Sequence, residues 1–124
     1  MKHSNVGPAS ILVVDDEKLI RWSLRERLEQ AGYRVIVADS GQQTLENLNE
    51  KVAIVLLDVK LPDMGGLDLA HEIRRRCPDC RIIMMTAQWT PELAHEALEN
   101  GAIDVLQKPF DLDDMARVVE TALA

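Results

Sequence analysis

The stretch Val52-Ala-Ile-Val-Leu-Leu-Asp58 is an apolar run that ends on a single carboxylate. Six apolar residues without alternation predict a strand that is covered on both faces, as is typical of a parallel sheet. Loop-forming residues follow it, namely Lys60-Leu61-Pro62 and then Gly65-Gly66. Asp58 is therefore predicted to lie where a strand ends. Because ligands bind at the carboxyl ends of the strands in open parallel sheets, it is the first candidate for a functional residue.

Three further apolar runs, and a fourth run that is interrupted by Asp104, predict four more strands. They cover residues 11–14, 35–38, 82–85 and 103–106. Each run is followed by a pattern that predicts an amphipathic helix. Helix starts are indicated by Ser40 with Gln43 in capping-box spacing, by Thr90 before Pro91, and by Asp111. The apolar faces are predicted to include Ala31 in the first helix, Leu98 in the fourth and Leu112 in the fifth, and Arg21 is assigned to the solvent face of the first.

Five strands that alternate with five helices predict an α/β fold with a doubly wound parallel sheet. We expect the flavodoxin-like strand order 2-1-3-4-5. Residues 11–124 are predicted to form this one domain, and residues 1–10 a flexible N-terminal leader.

The composition excludes several classes of partner. The chain has 124 residues, 14 of them Lys or Arg and 21 Asp or Glu, which gives a net charge of −7. This charge disfavours direct binding of nucleic acid or of an anionic membrane. No run approaches the roughly 18 apolar residues of a membrane span, and the N-terminus lacks the apolar core of a signal peptide. A cytoplasmic location is the expectation.

Polar side chains follow four of the predicted strands. Asp15 and Asp16 follow the first strand, Asp58 ends the third, Thr86 ends the fourth, and Lys108 follows the fifth. Because the carboxyl ends of parallel strands meet at one edge of the sheet, we expect these five side chains to surround one crevice. Taken singly, the acids could be favourable charges at a helix N-terminus and the lysine a solvated surface charge. Their joint occurrence at strand ends favours a site.

The chemistry of such a site can be read from its groups. Three adjacent carboxylates repel each other unless a cation or shifted pKa values compensate, and Mg²⁺ is a hard ion that prefers such oxygen ligands. Asp58 could then attack phosphorus as a nucleophile and form an acyl phosphate. The ammonium of Lys108, the hydroxyl of Thr86 and the backbone N–H of Ala87 would stabilise charge on the transferred oxygens.

Four motifs of the chain resemble those of the receiver domain of bacterial two-component response regulators. They are Ile11-Leu-Val-Val-Asp-Asp-Glu17, Leu57-Asp-Val-Lys-Leu-Pro-Asp-Met-Gly-Gly66, Met85-Thr-Ala87 and Lys108-Pro-Phe110. The resemblance implies that Asp58 accepts a phosphoryl group from a sensor histidine kinase. It also implies that Asp15, Asp16 and Asp58 hold Mg²⁺ together with the backbone carbonyl of Lys60.

The resemblance further implies that Thr86 and Lys108 contact the phosphoryl group and that the peptide bond before Pro109 is cis. Such a domain is not a metabolic enzyme, although it catalyses its own phosphorylation and dephosphorylation. Its output would pass through the face formed by the fourth helix, fifth strand and fifth helix. That face could also form a homodimer.

Residues 101–113 resemble the receivers of sigma-54-dependent (nitrogen-regulator-type) transcription activators, which implies a covalently linked effector domain. One position departs from the family pattern. The family usually has an aromatic residue three positions before the lysine, and here that position is Val105. We therefore expect the loop after Thr86, with Trp89, to carry part of the switch.

Two alternatives stay open at this point. One is a receiver-like interaction module that never takes phosphate. The other is a magnesium-dependent phosphatase with an aspartyl nucleophile, although such enzymes usually carry their two acids two residues apart. Asp15 and Asp16 are adjacent instead.

A separate Cys-x-x-Cys motif spans Cys77 and Cys80. A redox or zinc role is disfavoured, because the pair follows a helix rather than preceding one and no second pair completes a tetrahedral site. The preferred interpretation is a linker with two half-buried thiols.

Overall fold

The computed structural model describes residues 9–124 of the chain. They form five strands and five helices in strict alternation. The elements are β1 (Ser10–Val14), α1 (Lys18–Gln30), β2 (Arg34–Ala38), α2 (Gly41–Asn47), β3 (Val52–Asp58), α3 (Gly66–Arg76), β4 (Arg81–Thr86), α4 (Pro91–Glu99), β5 (Ala102–Gln107) and α5 (Leu112–Leu123).

All the strand pairings are parallel, and the order is β2-β1-β3-β4-β5. The predicted fold class and strand order are confirmed. β1 begins at Ser10, which is buried and pairs with Arg34. The sheet thus begins one residue inside the predicted leader of residues 1–10. Residues 1–8 lie outside the described residues, so the leader over that range stays a prediction.

The unbroken apolar runs are explained by two separate cores, one on each face of the sheet. Leu12, Val14, Val55 and Leu57 belong to the core that also contains α3 residues such as Leu69. The intervening residues of the same strands face the second core, in which α1 and α5 pack. Residues of the two cores alternate along residues 11–14, 54–57 and 82–85; those in the second core are Ile11, Val13, Ile54, Leu56, Ile83 and Met85. Both faces are apolar because both are covered.

The helix starts follow the predicted capping chemistry. Ser40 Oγ accepts a hydrogen bond from the Gln43 N–H at 3.1 Å, and Gln43 Oε1 accepts one from the Asp39 N–H at 2.9 Å. Thr90 caps α4 before Pro91, and Asp111 caps α5. Each cap satisfies backbone N–H groups that have no partner within the helix.

Three residues assigned to apolar helix faces are exposed instead. Ala31 is exposed because α1 ends at Gln30, so that it caps the helix outside the packed turns. Leu98 is 53% exposed because Ala97 is the buried residue of α4, and Leu112 is exposed at the first position of α5. Among the described helices, none has both the length and the apolar character needed to cross a bilayer.

Candidate functional site

The carboxyl edge of the sheet brings together the residues that follow its strands. The sheet hydrogen bonding continues one step past the strand ends, where the Asp15 N–H donates to the Ala38 carbonyl at 3.2 Å. The Val59 N–H donates to the Met85 carbonyl at 3.0 Å, and the Lys108 N–H donates to the Thr86 carbonyl at 2.7 Å. Backbone bonds between neighbouring strands therefore fix the positions of the loops that carry the candidate residues.

The ammonium group of Lys108 joins two of the predicted acids. Its Nζ donates to Asp15 Oδ2 at 2.6 Å and to Asp58 Oδ2 at 3.3 Å. The Asp15 side chain is fully buried, and those of Asp58 and Lys108 are 10% and 12% exposed. Residues at the carboxyl ends of β1, β3 and β5 thus meet in one partly dehydrated ion cluster, where charge interactions are stronger than at the open surface.

Asp58 lies in an environment that resists ionisation. Burial raises the pKa of its carboxyl group, and the nearby charge of Asp15 adds to the rise. The Lys60 N–H, which donates to Asp58 Oδ1 at 3.2 Å, and the Lys108 ammonium act in the opposite direction without cancelling the effect. A group held in this way by burial and a like charge is typical of a functional site.

The pKa of the Lys108 ammonium group is also raised, which favours its charged form. Burial by itself would lower the pKa of its ammonium group, but the hydrogen bond to Asp15 and the charges of Asp15 and Asp58 together raise it. The lysine therefore stays charged between the two acids.

Oxygen ligands of the kind that Mg²⁺ prefers are grouped at this edge. Carboxylate oxygens of Asp15, Asp16 and Asp58 all lie within 4.8 Å of one another. Asp15 and Asp58 are buried, whereas Asp16 faces solvent. The three acids outnumber the single lysine among them, so a small divalent cation with hard-ligand preference suits the donor set and its charge.

An open cleft of about 330 Å³ borders this cluster. Its lining includes Asp16, Asp58, Lys60, Thr86, Ala87 and Lys108. Thr86 is buried, and its Oγ1 accepts a hydrogen bond from the Gln88 N–H at 3.0 Å. The hydroxyl and the start of the following loop are thereby linked beside Asp58. The Lys108–Pro109 peptide bond at the cleft is cis.

Trp89 and Val105 lie outside this cleft lining. Trp89 is 41% exposed, in the loop between β4 and α4. Val105 is partly buried and packs against the core that contains Met84 and Ala97. The residues singled out for switching therefore lie on the α4–β5 side of the molecule, next to the site but apart from its charged centre.

Two contacts at the site were missed by the sequence reasoning. Arg21 does not simply face solvent: its Nη1 donates to the Asp15 carbonyl at 2.6 Å. Asp63, in the loop after β3, accepts hydrogen bonds from the Gly41 and Gln42 N–H groups at 2.8 and 3.0 Å. These two bonds lower the pKa of Asp63. They also hold the loop that carries Lys60 against the start of α2.

Gly66 allows the site loop to approach α3 closely. A Cβ at this position would lie 2.8 Å from the Asp58 carbonyl oxygen and 2.7 Å from the Val59 Cα. The Gly66 N–H also donates to the Val59 carbonyl at 2.8 Å. The sequence predicts a loop at Gly65-Gly66. Of the two, only Gly66 lies so close to neighbouring backbone that a side chain does not fit.

The fold and this edge cluster define a class of protein. Residues 11–120 match the response regulator receiver domain family, and the chain belongs to that family. The resemblance found in the sequence motifs is thereby confirmed. Its transcription-regulator relatives, described next, also agree with the similarity to sigma-54-dependent regulators.

Particular relatives can be named. The chain is 41% identical to the transcriptional regulatory protein ZraR of Escherichia coli O157:H7, over all of this chain and 28% of ZraR. It is 40% identical to the DNA-binding transcriptional regulator NtrC of Escherichia coli K12, over 92% of this chain and 24% of NtrC. The chain thus spans about a quarter of the length of these curated relatives.

Solved structures show the same fold. A CheY-like receiver domain protein from Methanospirillum hungatei JF-1 superposes with a TM-score of 0.89 at 31% identity, covering 94% of each chain. The BeF3-activated DrrB receiver domain gives a TM-score of 0.87 at 32% identity, covering 94% of this chain and 97% of that one.

Proposed function

We propose that this receiver domain is a phosphorylation-activated signalling switch in which Asp58 accepts a phosphoryl group from a sensor histidine kinase. The observation that carries the proposal is the contact of one Lys108 ammonium with both Asp15 and Asp58 beside an open cleft. A structural ion pair needs neither a third acid nor a cleft. A phosphoryl-transfer site needs a nucleophile, a fixed cation and room for the transferred group.

The residues of the chain have distinct roles in this reaction. A carboxylate oxygen of Asp58 forms the new bond to phosphorus as the bond from phosphorus to the donor breaks, which gives an acyl phosphate. Lys108 neutralises charge on the transferred oxygens, and Thr86 and the Ala87 N–H donate hydrogen bonds to them. Asp58 and Lys108 are already in contact at the strand ends and need little reorganisation, whereas Thr86 moves toward the phosphoryl group.

The reaction is proposed to depend on Mg²⁺. Asp15, Asp16, Asp58 and the backbone carbonyl of Lys60 would hold the ion, in agreement with the grouped carboxylate oxygens. When bound, the ion supplies positive charge that balances the acids and the transferred phosphoryl group. By this account the domain promotes its own phosphorylation and dephosphorylation but turns over no metabolite.

The output is assigned to the face formed by α4, β5 and α5. Leu98 on α4 and Ile103 on β5 are 53% and 47% exposed there, and Trp89 is nearby in the chain. Exposed apolar side chains of this size favour a contact surface. Phosphorylation would bias this face toward a homodimer or toward a covalently linked effector domain, most simply a transcriptional one, in the cytoplasm. Sedimentation velocity with and without phosphorylation tests the dimer: an unchanged monomer would refute it.

The deciding experiment is intact-mass analysis after incubation with acetyl phosphate and Mg²⁺. Wild-type protein should gain one phosphoryl group, and Asp58→Asn should gain none because it lacks the nucleophile. Omission of Mg²⁺, with a chelator present, should also abolish the adduct. An adduct on both proteins would exclude Asp58 as the acceptor, and no adduct on either would favour a receiver-like module that works without phosphate.

A further inference from the structure

The Cys-x-x-Cys segment lies at the amino edge of the sheet, directly before β4. Asp58 and Thr86 are at the opposite edge, and the six residues of β4 separate the two regions by roughly 17 Å at the usual strand rise. The thiols therefore take no part in the proposed phosphoryl transfer. They form a second chemical feature of the molecule that the receiver function does not use.

The backbone holds the two cysteines in a closed turn. The Cys80 N–H donates to the Cys77 carbonyl at 3.2 Å, which is the bond that closes a four-residue turn. A turn of this kind keeps its first and last Cα atoms within about 7 Å, close to the range that a disulfide spans. The spacing of the motif is thus matched by a backbone that brings its ends together.

Helix α3 fixes this turn in place. The Cys77 N–H donates to the Ile73 carbonyl at 2.7 Å. Arg74 Nη1 donates to the Pro78 carbonyl at 2.8 Å and to the Cys80 carbonyl at 3.4 Å. Because α3 and one of its side chains anchor the turn at several points, the two cysteines keep their relative position in the native state.

The two thiols differ in access. Cys80 is fully buried in the core beside residues such as Ile82, whereas Cys77 is partly exposed and borders an open pocket of about 290 Å³. Burial raises the pKa of the Cys80 thiol to about 12, and a hydrogen bond with the Cys77 thiol adds to the rise. The earlier expectation of two half-buried thiols is therefore wrong for Cys80. A reagent in solution meets Cys77 first, because Cys80 is fully buried.

We propose that Cys77 and Cys80 form a reversible intramolecular disulfide by exchange with a small disulfide of the glutathione class. The Cys77 thiolate attacks one sulfur of the small disulfide, whose S–S bond breaks and releases one thiol. The Cys80 thiol then loses its proton, attacks the Cys77 sulfur and releases the second small thiol. The two cysteines are oxidised by two electrons, and the small disulfide is reduced to two thiols.

The cysteine pair suits a modification site rather than a catalytic thiol or a zinc site. A fast catalytic thiol would need a stabilised thiolate, and a cysteine at the end of a helix lacks the favourable dipole of a helix start. A zinc site is excluded among residues 9–124 because their one cluster of three or more potential metal-binding side chains is the acidic group around Asp58. A slow and reversible exchange needs only proximity and one accessible thiol.

The test treats the folded 124-residue chain with glutathione disulfide, stops the exchange with acid and removes the reagent. The chain is then unfolded in urea, alkylated near neutral pH, where thiols react, and its intact mass is recorded. The wild type should lose two hydrogen atoms, take up no alkyl group and revert with dithiothreitol. Cys80→Ala should instead retain one glutathionyl group on Cys77, because no second thiol displaces it. Cys77→Ala should carry no glutathionyl group, because its remaining thiol is buried in the folded chain, and should take up one alkyl group after unfolding.

Other outcomes would overturn the proposal. These are a wild-type chain that keeps one glutathionyl group, one that stays fully reduced, one that links to a second copy, or a Cys77→Ala variant that reacts as readily as Cys80→Ala. The wild-type result decides even if a variant fails to fold, which circular dichroism would reveal. The outcome is independent of phosphate uptake at Asp58, so either proposal can fail alone.

Discussion

Asp58 is the proposed phosphoacceptor, and its charged carboxylate also lowers the stability of the fold. Its carboxyl group is buried next to the fully buried Asp15, and burial raises its pKa. Ionisation of a group whose pKa is raised in the folded state reduces stability at every pH above that pKa. Function and stability therefore make opposing demands on this one side chain.

Asp58→Asn should accordingly stabilise the protein at neutral pH by about 1 kcal/mol, the ordinary size of a single-site effect. The gain should shrink as the pH falls from 7 toward about 4, because the wild-type carboxyl group then becomes protonated and its unfavourable charge disappears. Urea denaturation at several pH values, with a chelator present, measures this difference. The exposed Asp16→Asn is the matched control and should change little; a wild type more stable than Asp58→Asn at pH 7 would contradict the argument.

Lys108, in contrast, stabilises the folded state, because its ammonium group is the ion-pair partner of the buried Asp15 carboxylate at 2.6 Å. Lys108→Met leaves that buried carboxylate without its cation, so we expect a loss of about 1–3 kcal/mol in a chelator. Mg²⁺ should stabilise this variant more than the wild type, because the competing ammonium is gone. Urea midpoints with and without Mg²⁺ test both points.

The control for Lys108 is Lys60→Met, which removes an exposed lysine near the same cleft. It should shift the midpoint only slightly. Equal midpoints for Lys108→Met and the wild type in the chelator would show that Asp15 does not depend on this ammonium group.

At the level of elements, the junction between the β3 loop and α3 is set by one glycine. Gly66→Ala would force its Cβ to within 3 Å of backbone atoms of Asp58 and Val59, and backbone cannot yield as a flexible side chain can. We expect a loss of about 1–3 kcal/mol in unfolding free energy, together with slower phosphate uptake because Asp58 is displaced. Thermal denaturation and the intact-mass assay check the two effects.

Gly65→Ala is the matched control, because it adds the same methyl group at the neighbouring position. A Cβ on Gly65 would meet nothing nearer than Asp68 Oδ2 at 4.0 Å, and the backbone there has an ordinary negative φ. Gly65→Ala should therefore cost less than Gly66→Ala, within the roughly 1 kcal/mol that alanine costs at a helix N-cap. Equal effects at the two positions would mean that close packing is not what Gly66 provides.

The strands and the charged residues at their ends were predictable from the sequence, whereas two contacts of the loops were not. The five strands were predicted from apolar runs, and their order was taken from the flavodoxin-like pattern. The meeting of Asp15, Asp58, Thr86 and Lys108 was predicted because parallel strands end at a common edge. The contacts of Arg21 and Asp63 were not, because their partners are a backbone carbonyl six residues away and two backbone amides more than twenty away. No periodicity of side chains encodes such contacts.

Apolar periodicity likewise shows which residues could be buried but not what covers them. α4 buries only Ala97, with Leu93 and Ala94 partly covered, so the helix packs along a narrow stripe. Leu98 matched the helical pattern yet lies beyond that stripe. Its exposed side chain forms part of the proposed output face.

Across the whole molecule, Thr86 connects the acidic site with the proposed output face. Its carbonyl accepts the bond from the Lys108 N–H, and its hydroxyl accepts one from the loop that leads to Trp89. Movement of Thr86 toward a phosphoryl group would therefore disturb that loop. Val105 offers no aromatic ring to move in response, so the loop is the route we propose.

Thr86→Ala should still take up phosphate but should lose most of the change in Trp89 fluorescence that follows phosphorylation in the wild type. Both proteins are to carry Trp22→Phe, because Trp22 is 60% exposed on α1 and would contribute its own signal. Fluorescence spectra before and after acetyl phosphate provide the measurement. If the Trp89 signal of the Thr86-containing protein does not change on phosphorylation, the loop is not part of the switch.

The separation of Cys77 from the carboxyl edge also has a practical consequence. With Cys80→Ala, the chain keeps a single thiol, that of Cys77, because it contains just two cysteines. A nitroxide or a dye attached there would sit at the far rim from Asp58. Spectroscopists could then follow the tumbling and assembly of the domain while leaving the acidic cleft and the α4–β5 surface unencumbered.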